Sequence, residues 1–252
     1  MEDRPTTPSF RLDGRTALVS GAGRGIGRAA ALALADYGAQ VVACSRTESE
    51  LDALAKEAPG QITPLVLDVT DLDGVRDAVA AHGPFHVLFN NAGGNRPEFF
   101  LDVTEEDFDF VTGLNIKSAF FVAQAVAQNM VANKISGSII NVSSQMGHVG
   151  GVKRTVYCAT KFAVEGMSKA MAAELAQHNI RVNTLCPTFV ETPLTQPFLA
   201  NPEFKAKVLD SILLGRTGQV TDMMGAVVFL ASDASALMTG SALLVDGGWT
   251  AL

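Results

Sequence analysis

What most constrains this 252-residue chain is the regular interleaving of short apolar runs with longer segments of helical pattern. Residues 16–20, 40–44, 62–67, 87–90, 138–142, 180–186 and 242–246 read as seven strands. Residues 25–37, 47–57, 71–82, a long segment after Thr104 and residues 155–178 read as helices. Strands this apolar, joined by helices, belong to a parallel sheet with both faces covered. The prediction is one α/β domain: a doubly wound, seven-stranded parallel sheet with helices on both faces. Gly38 stops the first helix, and Thr104-Glu-Glu-Asp supplies an N-cap and an acidic first turn. Pro64 gives the third strand an irregular or edge-like start. Residues 1–11 read as a flexible tail and 12–252 as the domain. The proline-rich, broken pattern over 191–218 reads as a lid.

An apolar fraction of 48 % with 18 % charged residues allows a sizeable core, and the net charge of −7 argues against a nucleic-acid partner. Cys44, Cys158 and Cys186 are widely spaced, so neither a disulfide framework nor a zinc site is expected; they read as small residues of a reduced interior. No metal is expected from the His and carboxylate positions. The polar start lacks a secretory or transit pattern, and no uninterrupted run of about 18 apolar residues occurs. The expectation is a cytoplasmic protein with no membrane partner.

Directly after the first strand stands Ser20-Gly-Ala-Gly-Arg-Gly-Ile-Gly27, opening a helix. A dinucleotide site needs glycines at that place, for a tight turn and close backbone approach, with the helix N-terminus facing the pyrophosphate. The spacing is Gly21-x-x-x-Gly25-x-Gly27, so the usual Gly-x-Gly-x-x-Gly register is missed while its structural setting is met. Asp68 after the third strand suits an adenine amino group, and Asn90-Asn91-Ala92-Gly93-Gly94 ends the fourth, where ligands gather in such sheets. The second strand ends in Ser45-Arg46 where an acidic residue would pair with ribose hydroxyls. A hydroxyl and a guanidinium, with Arg24 nearby, favour a 2′-phosphate and hence NADP, with NAD the alternative.

Tyr157 and Lys161 lie one helical turn apart, and Ser144 stands thirteen residues upstream of the tyrosine. A phenol with a reference pKa of ~10 needs a shift of ~3 units to work near neutrality. One cation at ~4 Å supplies about that at an effective dielectric of ~20. The pair alone is also compatible with an ordinary helix surface.

Taken in order, these motifs resemble the short-chain dehydrogenase/reductase family, in its branch of about 250 residues. The resemblance runs from Leu12 to Gly248. It includes the glycine loop, Asn90 to Gly93, Asn115, Ser144, Tyr157-x-x-x-Lys161 and the closing Val245-Asp-Gly-Gly248. It implies a Rossmann-like fold and a carbonyl/secondary-alcohol oxidoreductase. Asn115, Ser144, Tyr157 and Lys161 would be catalytic: Tyr157 as acid/base, Ser144 holding the carbonyl oxygen, Lys161 lowering the tyrosine pKa and binding ribose, Asn115 holding a water. Cofactor contacts would come from Gly21, Arg24, Gly25, Ile26, Gly27, Ser45, Arg46, Asp68, Val69, Asn91, Ala92, Gly93, Tyr157, Lys161, Pro187, Val190 and Thr192. Pro187-Thr188 departs from the family's usual Pro-Gly. A homotetramer is implied as well, with the apolar C-terminal stretch around Trp249 as a subunit contact.

Ser-Arg-Thr after the second strand is similar to NADP-dependent carbonyl and xylulose reductases. Ser144, Gln145 and Tyr157 are the expected substrate contacts. Gly94, Asn95, Arg96, Met146, His148, Val149, Arg154 and residues 189–198 are expected around them. A polar pocket suits a sugar, polyol or sugar acid; an apolar wall of Met146, Phe189 and Phe198 suits a ketone or acyl chain. Two alternatives stay open: a 3-oxoacyl-thioester reductase using acyl-carrier substrates, and a dinucleotide-sensing regulator without turnover.

Overall fold

The computed structural model describes residues 6–251. The seven strands are β1 (Thr16–Ser20), β2 (Gln40–Ser45), β3 (Ile62–Val66), β4 (Val87–Asn90), β5 (Ser138–Val142), β6 (Arg181–Pro187) and β7 (Ala242–Val245). All pair in parallel, in the order β3-β2-β1-β4-β5-β6-β7. The order reverses between β1 and β4, and a crevice opens there beyond the strand C-termini. Pro64 pairs with Ala43 on β3, which is an edge strand, so its missing N–H leaves no central ladder broken.

The helices are α1 (Gly25–Asp36), α2 (Glu48–Glu57), α3 (Leu72–His82), α4 (Glu105–Thr112), α5 (Ala119–Ala132), α6 (Thr155–Leu175), α7 (Gln196–Leu199), α8 (Pro202–Ser211) and α9 (Val220–Ala231). Alternate strand residues feed two cores. Ala17, Val19, Val41 and Phe89 pack under α1 and α9. Leu18, Val42, Leu88 and Ile139 pack under α3, α5 and the end of α6. Asp71 caps α3 by accepting from Gly74 N, and Thr104 caps α4 by accepting from Asp107 N, 3.1 Å in both cases.

Several elements differ from the sequence expectation. The long helix after Thr104 is not uniform: Gly113–Ser118 is π-helical between α4 and α5, and Asn115 sits inside it. By length and hydropathy the run Glu105–Ala132 passes as a membrane span, contrary to expectation. Yet Val122, Ala123, Val126 and Met130 are buried in the second core. Helix α6 stops at Leu175, and a 3₁₀ turn leads to Asn179 at φ 56°. Helix α9 has no counterpart in the sequence reading. Its apolar residues lie on too many sides for an amphipathic stripe, because it is deeply packed on α1 and the sheet. The reciprocal bonds between Gln219 and Asp222 at its start are the signal that marks it.

The first five residues of the expected tail lie outside the described residues. Beyond them, the Phe10 ring lies 6.4 Å from that of Phe229, and Leu12 is buried. The 191–218 segment contains α7 and α8. It is pinned at its ends by the Val190–Gly218 bridge and by the Thr217 hydroxyl donating to Glu191 at 2.7 Å.

Candidate active site

The glycine loop leaves β1 beneath the ends of β2 and β4. Gly21 has φ +65° and lies against Asn91 and Ala92, so that a Cβ there would stand 2.9 Å from Asn91 Nδ2. Ser20 draws the two strand ends together: its hydroxyl accepts from Asn91 N at 2.9 Å and Ala92 N at 3.0 Å. The Asn91 amide returns bonds to the carbonyls of Ser20 and Gly21. Its side chain therefore braces the loop, while the residue still lines the crevice. Helix α1 starts at Gly25 with no side-chain cap from Arg24. Its first amides are thus left for an external acceptor.

Above this loop lies a cavity of about 600 Å³. Gly21, Arg24, Gly25, Ile26, Ser45, Arg46, Asp68, Val69, Asn91, Ala92, Gly93 and Thr192 all line it, as the sequence leads one to expect. Asp68 accepts from Thr70 N at 2.9 Å, and this bond holds its carboxyl below the usual range, with the Thr70 hydroxyl and Arg46 adding to the effect. Arg24 and Arg46 are exposed cations at the rim. Glu50, which the sequence reading overlooked, lines the same rim and packs close to Gly23 and Ser45. The uncapped helix, the side-chain-free floor and the two guanidiniums fit a dinucleotide and its phosphates.

Ile26, Asn91, Gly93, Thr192 and Leu194 line both this cavity and a second one of about 140 Å³, walled also by Ser144, Tyr157, Lys161, Pro187 and Val190. A third, of about 100 Å³, shares Ser144, Tyr157, Thr188, Leu194 and Thr195 with the second. It adds Asn95, Gln145, Met146, Arg154, Phe189 and Phe198. Tyr157 stands where the second and third meet.

The Ser144 hydroxyl donates to Gln145 Oε1 at 2.7 Å and accepts from Met146 N at 3.1 Å. Burial pushes the Tyr157 phenol up, opposed by the Ser144 hydroxyl and the Arg154 charge. Lys161 Nζ donates to Val142 O at 2.8 Å and lies 5.5 Å from the Tyr157 ring centroid. Burial pulls its pKa down to about 8, with Cys186 and Glu165 opposing. In this structure the Lys161 ammonium is held by that carbonyl beside the phenol ring, and Arg154 adds a second positive charge near the phenol.

Asn115 accepts from Gly94 N at 2.9 Å and donates to Gly94 O and to Thr160 Oγ1. Its amide thereby clamps the loop to α6, with one lone pair of Oδ1 left over. Of the expected pocket residues, Arg96 turns to Glu106 and Asp107 at 3.0 and 2.9 Å. His148 turns to Glu165 at 3.6 Å, and neither it nor Val149 lines the third cavity. The Thr188 hydroxyl, at the departure from Pro-Gly, is buried without a partner among the described residues.

One grouping beside the site escaped the sequence reading. His148, Glu165 and Cys186 bring donor atoms within 4.8 Å of one another. Both Glu165 oxygens are already engaged, by the Thr184 hydroxyl at 3.0 Å and the Cys186 thiol at 3.2 Å. Burial first, and then the Glu165 charge, push that thiol up to about 12. Hydrogen bonds thus join Glu165, Thr184 and Cys186, with His148 3.6 Å from Glu165.

A glycine cradle leading to a half-buried phenol beside a buried ammonium and hydroxyl is the architecture of a dinucleotide-dependent oxidoreductase. A family model described as enoyl-(acyl carrier protein) reductase matches residues 21–250. The chain is 45 % identical to D-erythrulose reductase of Gallus gallus, over 96 % of this chain and 98 % of that one. It is 42 % identical to L-xylulose reductase of Bos taurus, over 96 % and 99 %. A solved structure of gluconate 5-dehydrogenase from Burkholderia cenocepacia J2315, in complex with NADP and tartrate, superposes with a TM-score of 0.92 at 37 % identity, covering 96 % of this chain and 98 % of that one. The chain belongs to the short-chain dehydrogenase/reductase family, and it is an oxidoreductase.

Proposed function

We propose that the protein interconverts a carbonyl and a secondary alcohol on a sugar, polyol or small ketone, with NADP preferred over NAD. Bound in the crevice, the dinucleotide supplies the hydride to the carbonyl carbon in reduction and takes it up in oxidation. Tyr157 gives its phenolic proton to the carbonyl oxygen, or takes one from the alcohol. Ser144 turns from Gln145 to hydrogen-bond that oxygen and fix its position. Lys161 binds the nicotinamide ribose hydroxyls and stabilises the phenolate left after proton transfer. Asn115 positions the loop through Gly94 and Thr160. Pro187, Val190 and Thr192 form the wall for the nicotinamide, and 191–218 is the lid.

The observation that carries this reading is the junction at Tyr157, where the cavity reaching the glycine cradle meets the small pocket in which Asn95, Gln145 and Arg154 face Met146, Phe189 and Phe198. Ser45 and Arg46 in place of a carboxylate support NADP, as does the NADP held by the gluconate 5-dehydrogenase relative. The relatives named for erythrulose and xylulose support a hydroxylated substrate. Exposed Phe108 on α4, Phe120 on α5 and Phe162 on α6 support a homotetramer. Free thiols at Cys44, Cys158 and Cys186 fit a reducing compartment such as the cytoplasm. The test is turnover of ketoses, polyols, diketones and acetoacetyl thioesters with each dinucleotide, followed at the nicotinamide band. Ketoses or polyols with NADP should give the highest kcat/KM; thioesters leading the panel would contradict the reading.

A further inference from the structure

Beyond the charge it sets beside the Tyr157 phenol, Arg154 has no task in the scheme above, yet it is placed as a ligand-binding group would be. It precedes α6, three residues ahead of Tyr157, and lines the substrate cavity. Its side chain is buried, the residue being only 7 % exposed. Its single side-chain hydrogen bond among the described residues is a long one, Nη1 to Lys153 O at 3.3 Å. The guanidinium carbon also lies 5.4 Å from the centroid of the Phe198 ring, another wall of that cavity. Among the described residues no carboxylate pairs with it. Glu98 faces the neighbouring Lys153 at 3.9 Å. Arg181 is the instructive contrast: it too lacks a carboxylate, but three backbone carbonyls, of Met238, Leu230 and Ser232, receive its donors.

A guanidinium stays charged at any working pH, and a buried one needs an anion or a set of acceptors. The protein leaves most of the Arg154 donors without either. We propose, building on the reaction assigned above, that Arg154 is the anion-binding residue of the substrate pocket and that the substrate carries a carboxylate. The substrate is then a keto or hydroxy acid of sugar type. Its carboxylate is gripped by the planar fork of Arg154, while the reacting carbonyl rests between Tyr157 and Ser144. The fork matches carboxylate and phosphate alike. Charge favours the carboxylate: one guanidinium balances one carboxylate, whereas a phosphate monoester brings ~2 negative charges at neutral pH. The nearest further cation lining these cavities, Lys161, is already held by the Val142 carbonyl.

The test compares kcat/KM for keto-aldonic acids, neutral ketoses of equal chain length and ketose phosphates, with wild type, Arg154→Gln and Arg154→Lys. Wild type should prefer the acids by about 100-fold, the worth of a buried charge-assisted pair. Arg154→Gln should lose that preference mainly through KM, and Arg154→Lys should keep part of it, since charge survives and the fork does not. A second readout separates binding from scaffolding: ligand-free Arg154→Met should melt at or above the wild-type temperature, and a fall would assign the residue a structural role instead. Equal or better use of neutral ketoses by wild type overturns the proposal and leaves the reaction standing; a preference for phosphates overturns the choice of carboxylate. Calorimetric binding of the keto acid to the NADP complex, weakened in Arg154→Gln, decides the proposal even if no compound in the panel is turned over, a result that would sink the reaction instead.

Discussion

At the scale of single residues, the site is governed by burial. Tyr157 and Lys161 are both held where water is scarce, so the phenol is pushed up and the ammonium down. Lys161 has a folded pKa of about 8 against 10.5 unperturbed. Between those values the unfolded chain binds the extra proton, so the lysine's contribution to stability rises with pH across that window. Wild type should therefore gain stability relative to Lys161→Met from pH 7.5 to pH 10, by ~3 kcal/mol at most. Paired denaturant titrations at the two pH values check this, and a constant gap would refute the burial of Lys161 as described. Spacing alone singled out Tyr157 and Lys161 in the sequence, while Ser144 and Asn115 entered through the family resemblance, and the structure gathers all four beside one crevice. Their couplings were not legible there. That Lys161 turns to Val142 and that Asn115 clamps Gly94 depend on contacts between residues about twenty positions apart in the chain, and the charge of Arg154 beside the phenol depends on how the start of α6 is buried.

At the scale of elements, the β1–α1 turn is where local sequence and function meet. Gly27 is packed so closely on the backbone of Gly21 that an added methyl would overlap its carbonyl oxygen and stand 2.5 Å from Asn91 Nδ2. Neither neighbour is free to move, since the Asn91 amide is tied to the carbonyls of Ser20 and Gly21. Gly27→Ala should lower dinucleotide affinity more than tenfold and cost about 2 kcal/mol of stability, as overpacking does. Fluorescence titration with NADPH and a denaturant melt measure the two; unchanged affinity would mean the cradle is not the binding site. The strands were readable because each is a short apolar run closed by a polar or glycine turn. Two helical features were hidden for physical reasons. The π turn over Gly113–Ser118 is a tertiary choice that lets Asn115 reach Gly94 and Thr160. Helix α9 is apolar on too many sides to show a stripe.

For the whole molecule, the parallel sheet collects the glycine loop, the Asn91 turn and Pro187 at one end of the strands, and α6 carries Tyr157 and Lys161 up to them. Exposed Phe108, Phe120 and Phe162 line none of the three cavities and are expected to be covered by subunit contacts. Light scattering on the purified protein should give the mass of a tetramer, and a monomer would remove the role assigned to those faces. The central claim is that Tyr157 is the proton donor for hydride transfer in the adjoining cavity. The most direct test compares wild type and Tyr157→Phe for turnover of the best panel substrate and, in parallel, for NADPH affinity. The account predicts loss of turnover by about a thousandfold or more with NADPH affinity unchanged. Turnover within a few-fold of wild type in Tyr157→Phe would contradict it.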